Sequence, residues 1–280
     1  MDLPRAEQSV SAALTRYWFA FRLVFQERMA YRVNFFLEVL SGIFASLIVV
    51  FLWLAVYRSS GTPRVGGFSL AEMITYLLGG GLINTFILTA ADNPESSRDI
   101  LEGDLSGLLI RPMSPYGLWF ARDAGSKVFL LILGGLGYAA VLLVFRKYLL
   151  GPAGPVSLAL TLALVATAAL VQFFLFQGLN MLAFWVEQTY GFLFVMRIVM
   201  EVVGGAIIPL SFFPDIVQRV FMATPFPYMV YIPMQTWLGR IGPGEAAAAL
   251  GRSAAWAVAL GLINLVLWRR GVRQYVSMGD

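Results

Sequence analysis

Apolar residues form long runs along this chain, and short polar stretches separate the runs. A membrane-spanning helix needs about 20 mainly apolar residues, and six runs approach that length, near residues 33–57, 70–91, 126–146, 156–184, 192–210 and 250–268. Clusters of glycine and proline lie between several of them, as in Gly151-Pro152-Ala153-Gly154-Pro155, which is typical of turns. The pattern predicts an all-α membrane protein in which residues 1–280 form a single domain.

A partly amphipathic helix is predicted ahead of the first span, over residues 7–30. Its apolar positions recur at helical spacing and are Leu14, Tyr17, Trp18, Phe21, Phe25 and Met29. Arg16, Gln26 and Glu27 fall on the opposite face, while Phe19 and Leu23 interrupt the pattern. Such a helix lies along the membrane surface. It either contacts a partner there or simply anchors the chain, and the two interpretations are compatible.

The clearest interruption of the apolar pattern lies between Asp92 and Lys127, where charged residues alternate with Ile, Leu, Trp and Phe. Asp92-Asn93-Pro94-Glu95 is typical of a helix start, with Asp92 or Asn93 as N-cap and Pro94 in the first helical position. A short charged helix is therefore predicted at the start of a polar 92–125 segment. It either docks into a cleft of a partner or belongs to an ordinary solvated loop.

The stretch after the fifth predicted span is apolar enough for lipid, yet it is interrupted by Pro209, Pro214, Pro225, Pro227 and Pro233. No continuous helix crosses a membrane through so many prolines. Irregular backbone at membrane depth persists only where protein or a cavity covers it. Residues 209–239 are therefore predicted to dip into the membrane from the outer face and return. This re-entrant segment forms an outer gate or merely packs.

Composition agrees with a membrane location and excludes several classes of site. The chain is 59% hydrophobic and 13% charged, with a mean hydropathy of +0.76, whereas soluble domains carry about 25% charged residues. It contains no cysteine and no histidine, so Ser-His and Cys-His nucleophile pairs, HExxH zinc sites and imidazole relays are excluded. No metal site is predicted. The net charge of +4 requires no nucleic-acid partner.

The distribution of Lys and Arg predicts the orientation in the membrane. Twelve of these residues lie in the N-terminal region, the 92–127 segment and the C-terminal tail, against seven in the remaining loops. Positive charge near span ends favours the cytoplasmic side. Both termini and the polar segment are therefore predicted to be cytoplasmic.

The ionisable residues placed within predicted spans are Glu38, Glu72, Arg197 and Glu201, and Glu187 lies at a span end. Charges inside a bilayer tend to pair or to face the protein interior. Arg197 and Glu201 are four residues apart on one helical face, which favours mutual pairing over a role in positioning a polar substrate group. The aromatic and amide run that includes Phe173, Gln177 and Asn180 either lines a path for an amphiphile or packs.

Three groups of motifs occur in one order along most of the chain. The first is Ile100-Leu101-Glu102-Gly103-Asp104-Leu105-Ser106-Gly107-Leu108-Leu109, followed by Arg111-Pro112. The second is Pro209 to Pro214 with Pro225-Phe226 and Leu238-Gly239, and the third is the tail from Arg269 to Gly279. Together with six spans they resemble the membrane subunits of ABC-2 type exporters. The resemblance implies a type V exporter-like architecture with an interfacial helix, a coupling helix and a re-entrant hairpin before the last span.

The resemblance also implies partners and site residues. Such subunits pair in the membrane, as a homodimer or with a related six-span protein, and bind two cytoplasmic ATPase subunits. The candidate ATPase-coupling residues are then Asp92, Pro94, Glu95, Arg98, Asp99, Leu101 and Glu102. Candidates for the substrate path or gate are Asn84, Phe86, Phe173, Gln177, Asn180, Pro209, Phe212 and Phe213. The N-terminal helix is expected beside the ATPase, and the location is a bacterial cytoplasmic (inner) membrane.

The chain itself lacks the phosphate-binding motif GxxxxGK[ST], because Gly125-Ser126-Lys127 has neither its order nor its spacing. ATP and Mg²⁺ are therefore expected on a separate chain, with no cofactor on this one. The alternative is a proton-coupled secondary transporter, which needs repeated halves and a mid-membrane carboxylate. No repeat is evident, and Glu38 is its one candidate carboxylate. An intramembrane enzyme is disfavoured by the lack of His, Cys and paired Asp.

Overall fold

The computed structural model describes residues 15, 17–19, 21–23, 26–27, 32–89, 94–111 and 113–277, with only the backbone of 32–36, 38–39 and 276–277. It is an all-α membrane protein. Its helices that are long and apolar enough to cross a bilayer lie at Leu40–Ser60, Leu70–Leu88, Pro115–Val144, Pro155–Phe184 and Pro243–Tyr275. Five of the six predicted spans thus correspond to such helices within the described chain.

The described part of the chain folds into helices joined by short turns and one small hairpin. The α-helices and strands are α1 (Arg32–Ser60), β1 (Arg64–Val65), β2 (Phe68–Ser69), α2 (Leu70–Leu88), α3 (Glu95–Leu101), α4 (Leu105–Leu109), α5 (Pro115–Phe129), α6 (Gly135–Val144), α7 (Pro155–Asn180), α8 (Tyr190–Val203), α9 (Asp215–Met222), α10 (Tyr231–Trp237) and α11 (Pro243–Ser277). A π-helical turn, Leu130–Gly134, joins α5 to α6, and short 3₁₀ turns lie at Arg146–Tyr148, Met181–Phe184, Leu210–Phe212 and Phe226–Tyr228. Described residues between 15 and 27 are also helical.

The hairpin between α1 and α2 marks one end of the bundle, which we call the hairpin end. Gly66 and Gly67 turn the chain with positive φ angles of 58° and 81°, which cost glycine no steric strain. Ser69 then starts α2 with a capping box, because its side chain accepts from the Glu72 amide while the Glu72 carboxylate accepts from the Ser69 amide. This cap fixes the position at which the chain turns back into the bundle.

The third predicted span begins earlier than the apolar pattern indicates. The run suggested residue 126, but α5 starts at Pro115, where the Ser114 side chain accepts from the Gly117 amide and proline occupies the first turn. The polar residues between 115 and 125 therefore lie on a helix that continues through the π turn into α6. Part of the predicted 92–125 polar segment thus belongs to a long helix.

The fifth predicted span, 192–210, is not one continuous helix. Helix α8 ends at Val203, and Gly205 follows with a φ of 79°. The Gly205 carbonyl then accepts the Tyr76 hydroxyl at 2.6 Å. A 14-residue helix rises about 21 Å, which is less than the hydrocarbon thickness of about 30 Å. The glycine pair, rather than Pro209, is what ends the helix.

Contacts define the two ends of the bundle. At the hairpin end, Arg240 Nη1 donates to the Gly67 carbonyl at 3.0 Å and the Trp237 indole donates to the Leu150 carbonyl at 2.9 Å. At the other end, which we call the α3 end, the Tyr275 hydroxyl donates to the Gly103 carbonyl at 2.9 Å. Helix α11 therefore runs from the hairpin end to the α3 end.

Helix α7 finishes at the α3 end, where Phe184 packs against Tyr275. Since Arg240 lies at the hairpin end, the chain must return along the bundle between these two points. Helix α8 and the turns after it make that return.

The segment after α8 first reaches the hairpin and then re-enters the bundle. Phe212 packs against Trp53 and Phe68, with ring centroids 5.3 and 6.5 Å apart. Further on, Val230 and Met234 lie over Gly80 and Gly79, which sit midway along α2. Helix α10 then leads back to Trp237 and the hairpin end. The predicted 209–239 stretch thus descends to the middle of α2 and returns as a series of short helical pieces. Pro214 and Pro225 precede two of these pieces, whereas Pro233 lies inside α10.

Candidate functional site

Helix α3 is short and begins with a proline. Glu95 is its first helical residue, so Pro94 occupies the cap position rather than the first helical position that the sequence suggested. The Pro94 carbonyl accepts from the Arg98 amide at 2.8 Å and from the Ser97 hydroxyl at 2.9 Å. Asp92 and Asn93, the predicted N-cap candidates, lie outside the described residues.

One face of α3 is bound to the long helices beside it. Glu95 Oε2 lies 3.2 Å from Arg122 Nη1 of α5, and the Ser96 hydroxyl donates to Gln177 Oε1 of α7 at 3.0 Å.

A third contact joins Asp99 to Trp119 of α5, whose indole nitrogen donates to Asp99 Oδ2 at 2.8 Å. Three successive polar contacts thus attach this helix to two different membrane helices. Helix α3 is therefore held against both α5 and α7.

The opposite face of α3 is open. The Arg98 and Glu102 side chains are 59% and 62% exposed and lie 3.9 Å apart, a separation and exposure at which an ion pair contributes little to stability. Leu101 is 45% exposed, and Ile110, just after α4, is 86% exposed. The exposed surface formed by Arg98, Leu101, Glu102, Leu109, Ile110 and Arg111, which we call the α3–α4 face, combines charge with apolar groups.

The geometry divides the predicted coupling residues into two sets. Arg98, Leu101 and Glu102 belong to the α3–α4 face, whereas Glu95 and Asp99 point to α5. Burial raises the pKa of the Asp99 carboxyl above its ordinary value of 3.8, and the Trp119 indole and the Arg122 charge oppose that rise. A partner approaching this end of the molecule would meet the first set and not the second.

A narrow polar cleft lies under α3, between α5 and α7, and we call it the α3 cleft. Its lining residues are Glu95, Ser96, Trp119, Arg122, Asp123, Ser126, Gln172, Phe173, Phe176, Gln177 and Asn180. Phe173, Gln177 and Asn180, predicted for a substrate path, thus meet Glu95, predicted for coupling. The α3 cleft is the one place where the structure brings the two predicted sets together among the residues it describes.

An ion pair that the sequence analysis missed forms part of the cleft. Lys127 Nζ donates to Asp123 Oδ1 at 2.6 Å and to Gln172 Oε1 at 2.8 Å. The Lys127 side chain is 5% exposed and that of Asp123 13%. Two charges four residues apart on one helix were a signal in the sequence, but the late predicted start of the third span hid it.

The other predicted path residues lie elsewhere. Phe86 borders an apolar groove between α1, α2 and the π turn, together with Gly42, Leu82, Thr85, Leu130, Leu131, Gly134, Gly135 and Tyr138. Asn84 is half-buried on the same helix. Pro209, Phe212 and Phe213 lie at the hairpin end, where Phe212 is packed between aromatic rings. These residues do not form one site with the α3 cleft.

The predicted membrane charges differ in how far the structure describes them. Arg197 Nε donates to Glu201 Oε1 at 3.3 Å, so the mutual pairing favoured by their spacing is present. The side chain of Glu38 lies outside the described part. Among the described residues there is no group of three or more Asp and Glu side chains that could hold a metal ion.

The N-terminal helical residues contact the start of α5. The Ser114 amide donates to the Tyr17 hydroxyl at 3.1 Å, and the Tyr17 ring covers Gly117 so closely that a Cβ there would lie 2.8 Å from it. Trp18 stacks on Phe21 and remains exposed. The N-terminal helix and the α3–α4 face therefore occupy the same end of the molecule.

Comparison with known proteins assigns the chain to a family. The family model described as "ABC-2 family transporter protein" matches residues 43–279, a stretch that includes every element from the middle of α1 to the end of α11. A search of curated proteins found no match. The match covers far more than half of the chain and agrees with its several apolar membrane-spanning helices. The protein therefore belongs to the ABC-2 family of transporter proteins and is a multi-pass membrane permease.

Proposed function

We propose that this chain is the membrane-spanning permease subunit of an ATP-driven exporter. Two separate ATPase subunits, carrying ATP and Mg²⁺, bind it from the cytoplasm. A second permease subunit, either another copy or a related protein, completes the substrate path at a dimer interface. Family membership supports association with ABC ATPase subunits, and the chain lacks a phosphate-binding loop of its own.

The observation that carries this proposal is the two-sided construction of α3. Its outer side presents Arg98, Leu101 and Glu102 to solvent, and its inner side is joined to α5 and α7 by Glu95, Ser96 and Asp99. A helix with one free face and one bound face transmits a push from a docked partner to the membrane helices. This is the property that a coupling helix requires.

Six membrane crossings follow if α8 and the turns after it make up the fifth. The contacts of Arg240 with Gly67 and of Tyr275 with Gly103 place the ends of α11 at opposite ends of the bundle, which supports a crossing between α7 and α11. The larger share of the Lys and Arg residues lies at the α3 end and the termini. With this end in the cytoplasm, both termini are cytoplasmic. The membrane is then a bacterial inner membrane.

In the proposed cycle, ATP draws the two ATPase subunits together and α3 moves with them. Its three inner contacts shift α5 and α7, and the path at the dimer interface rearranges. At the hairpin end, the broken segment from Pro209 to Trp237 acts as the outer gate through which cargo leaves. Phe212 seals this gate by packing against Trp53 and Phe68.

Replacement of Ile110 tests the docking surface. Ile110→Asp places a charge in an apolar contact, so it should abolish co-purification of the ATPase subunits and transport in vesicles, with the unfolding temperature unchanged because the residue is exposed. Ile216→Asp is the control for ATPase binding, since it adds the same charge at an exposed residue of the short helix α9, which follows Phe212 of the hairpin end. Normal ATPase binding and transport by Ile110→Asp would refute the assignment of this face.

A further inference from the structure

The floor of the α3 cleft carries two buried amide groups with free hydrogen-bonding capacity. Gln177 and Asn180 are each only 4% exposed. Within the described part of the chain, Gln177 Nε2 and Asn180 Oδ1 have no hydrogen-bond partner. A buried polar atom without a partner costs about 1–3 kcal/mol, so buried waters or ligands commonly satisfy such groups.

The two atoms without a hydrogen-bond partner differ in type, since one is a donor and the other an acceptor. Gln177 Nε2 is a donor and Asn180 Oδ1 is an acceptor, and both residues lie on the last turn of α7 and line the same cleft. A single group that accepts one hydrogen bond and donates another would satisfy both. A hydroxyl group has this pair of properties, and a bare cation or anion does not.

The charges around the cleft favour a neutral occupant. Glu95 is paired with Arg122, and Asp123 is paired with Lys127. Each carboxylate in the lining thus has a cation next to it, and the four charges sum to zero. A charged ligand would gain no net Coulomb attraction and would compete with existing ion pairs.

We propose that the α3 cleft binds a neutral hydroxyl group that bridges Gln177 and Asn180. The hydroxyl comes either from ordered water or from the headgroup of a hydroxylated amphiphile that reaches into the cleft. Because Gln177 also accepts from Ser96 of α3, the bridge extends the hydrogen-bond network between the coupling helix and α7. This inference concerns binding by the chain itself and does not depend on ATP-driven export.

Radiolytic labelling of the purified full-length chain tests the occupant. X-ray pulses produce hydroxyl radicals from water, and the radicals oxidise side chains in contact with that water. Phe176 lines the cleft and is 3% exposed, whereas Phe68 is equally buried, at 0%, and is not among the residues that line the cleft. In dodecyldimethylamine oxide, a detergent without hydroxyl groups, Phe176 should be oxidised several-fold faster than Phe68. Equal oxidation rates of Phe176 and Phe68 would show that the cleft holds no bound water.

A second arm distinguishes the two sources of the hydroxyl. The labelling is repeated in octyl glucoside, a detergent whose headgroup carries hydroxyl groups. Protection of Phe176 by the glucoside alone assigns the site to a headgroup hydroxyl. If Phe176 is labelled equally fast in both detergents, the hydroxyl belongs to a bound water. If Phe176 is labelled as slowly as Phe68 under all conditions, the cleft binds no hydroxyl.

Substitution of Asn180 gives an independent thermodynamic test. Asn180→Leu replaces the amide with an apolar group of similar shape. If Oδ1 is bound to a hydroxyl, the variant loses a hydrogen bond, and its unfolding temperature should fall by about 2–4 °C, the shift that follows from about 1 kcal/mol. The control is Gln188→Met, which removes an exposed amide. An unfolding temperature that rises in Asn180→Leu shows a dry, unpartnered amide and overturns the proposal.

Discussion

Lys127 illustrates how a charge is held inside the apolar part of this protein. It is the one buried charged residue in the described part of the chain, and its ammonium contacts Asp123 and Gln172. Removing a single partner from a buried pair leaves an uncompensated charge and costs about 3–5 kcal/mol. Asp123 therefore balances the Lys127 charge within α5, and the Lys127 contact with Gln172 joins α5 to α7 at the α3 cleft.

Asp99 is expected to make the stability of the α3 end depend on pH. Burial raises its pKa above 3.8, so the folded chain retains the proton at pH values where the unfolded chain has lost it. The contribution of Asp99 to stability is therefore fully present below the ordinary pKa of the unfolded chain. It is lost as the pH rises through the raised pKa of the folded chain. Unfolding temperatures measured between about pH 4 and pH 7 should show this fall.

Asp99→Asn keeps an oxygen acceptor for the Trp119 indole and removes the charge, so it should flatten the pH profile and raise stability at neutral pH. Asp104→Asn, at an exposed position, is the control and should retain the original profile. A profile in Asp99→Asn that matches the parent chain would assign the pH dependence to other groups.

At the scale of elements, the proposed function assigns ATPase docking to one face of α3 and transmission of movement to the other. Glu95→Gln breaks the pair with Arg122, whose side chains are about one-third and one-quarter exposed, so stability should fall by about 0.2–1 kcal/mol. ATPase binding should persist while transport per ATP hydrolysed decreases. Arg98→Gln should do the reverse, with unchanged stability and weaker ATPase binding, because Arg98 lies on the free face.

Binding to the ATPase and transport per ATP, measured in parallel on the two variants, check this division. The variants change neighbouring residues of one short helix, so each serves as the control for the other. Identical defects in both would mean that the helix acts as a single docking surface.

The end of α8 depends on one glycine. Gly205 has a φ of 79°, and a Cβ there would lie 2.7 Å from Leu210 and 2.9 Å from the Tyr76 hydroxyl. Gly205→Ala should therefore destabilise the chain by more than the roughly 1–2 kcal/mol that the left-handed backbone conformation alone costs a residue with a Cβ. Gly251→Ala is the matched control, since Gly251 lies inside α11 with nothing within 4 Å. It should be neutral or stabilising by up to about 1 kcal/mol. Thermal unfolding in detergent measures both.

For the whole molecule, the apolar runs were enough to predict the class of fold and the long helices, because length and hydropathy determine a membrane helix. They misplaced the start of the third helix, although Ser114-Pro115 is itself a helix-start signal. Polar residues there are tolerated because Arg122, Asp123 and Lys127 have partners.

The candidate site was predictable only in its components. The charged helix followed from Pro94-Glu95, and the amides of α7 were noted as a possible path. Their meeting depends on contacts such as Ser96 with Gln177, which join residues 81 positions apart. Such a contact is set by the packing of α3, α5 and α7, and no local pattern in one sequence encodes it. The same holds for Arg240 and Gly67 at the hairpin end.

The six-crossing arrangement makes a prediction that the chain is well suited to test, because it contains no cysteine. Glu187 lies in the exposed turn after α7, and Gly242 lies in the exposed turn before α11. If α8 and its following turns cross the membrane, Glu187→Cys and Gly242→Cys lie on opposite sides. A membrane-impermeant maleimide added to intact cells should then label Gly242→Cys alone, and both after lysis. Ser253→Cys, at a position with 0% exposure, should stay unlabelled. Labelling of both exposed positions from the same side would mean that the chain does not cross the membrane between α7 and α11.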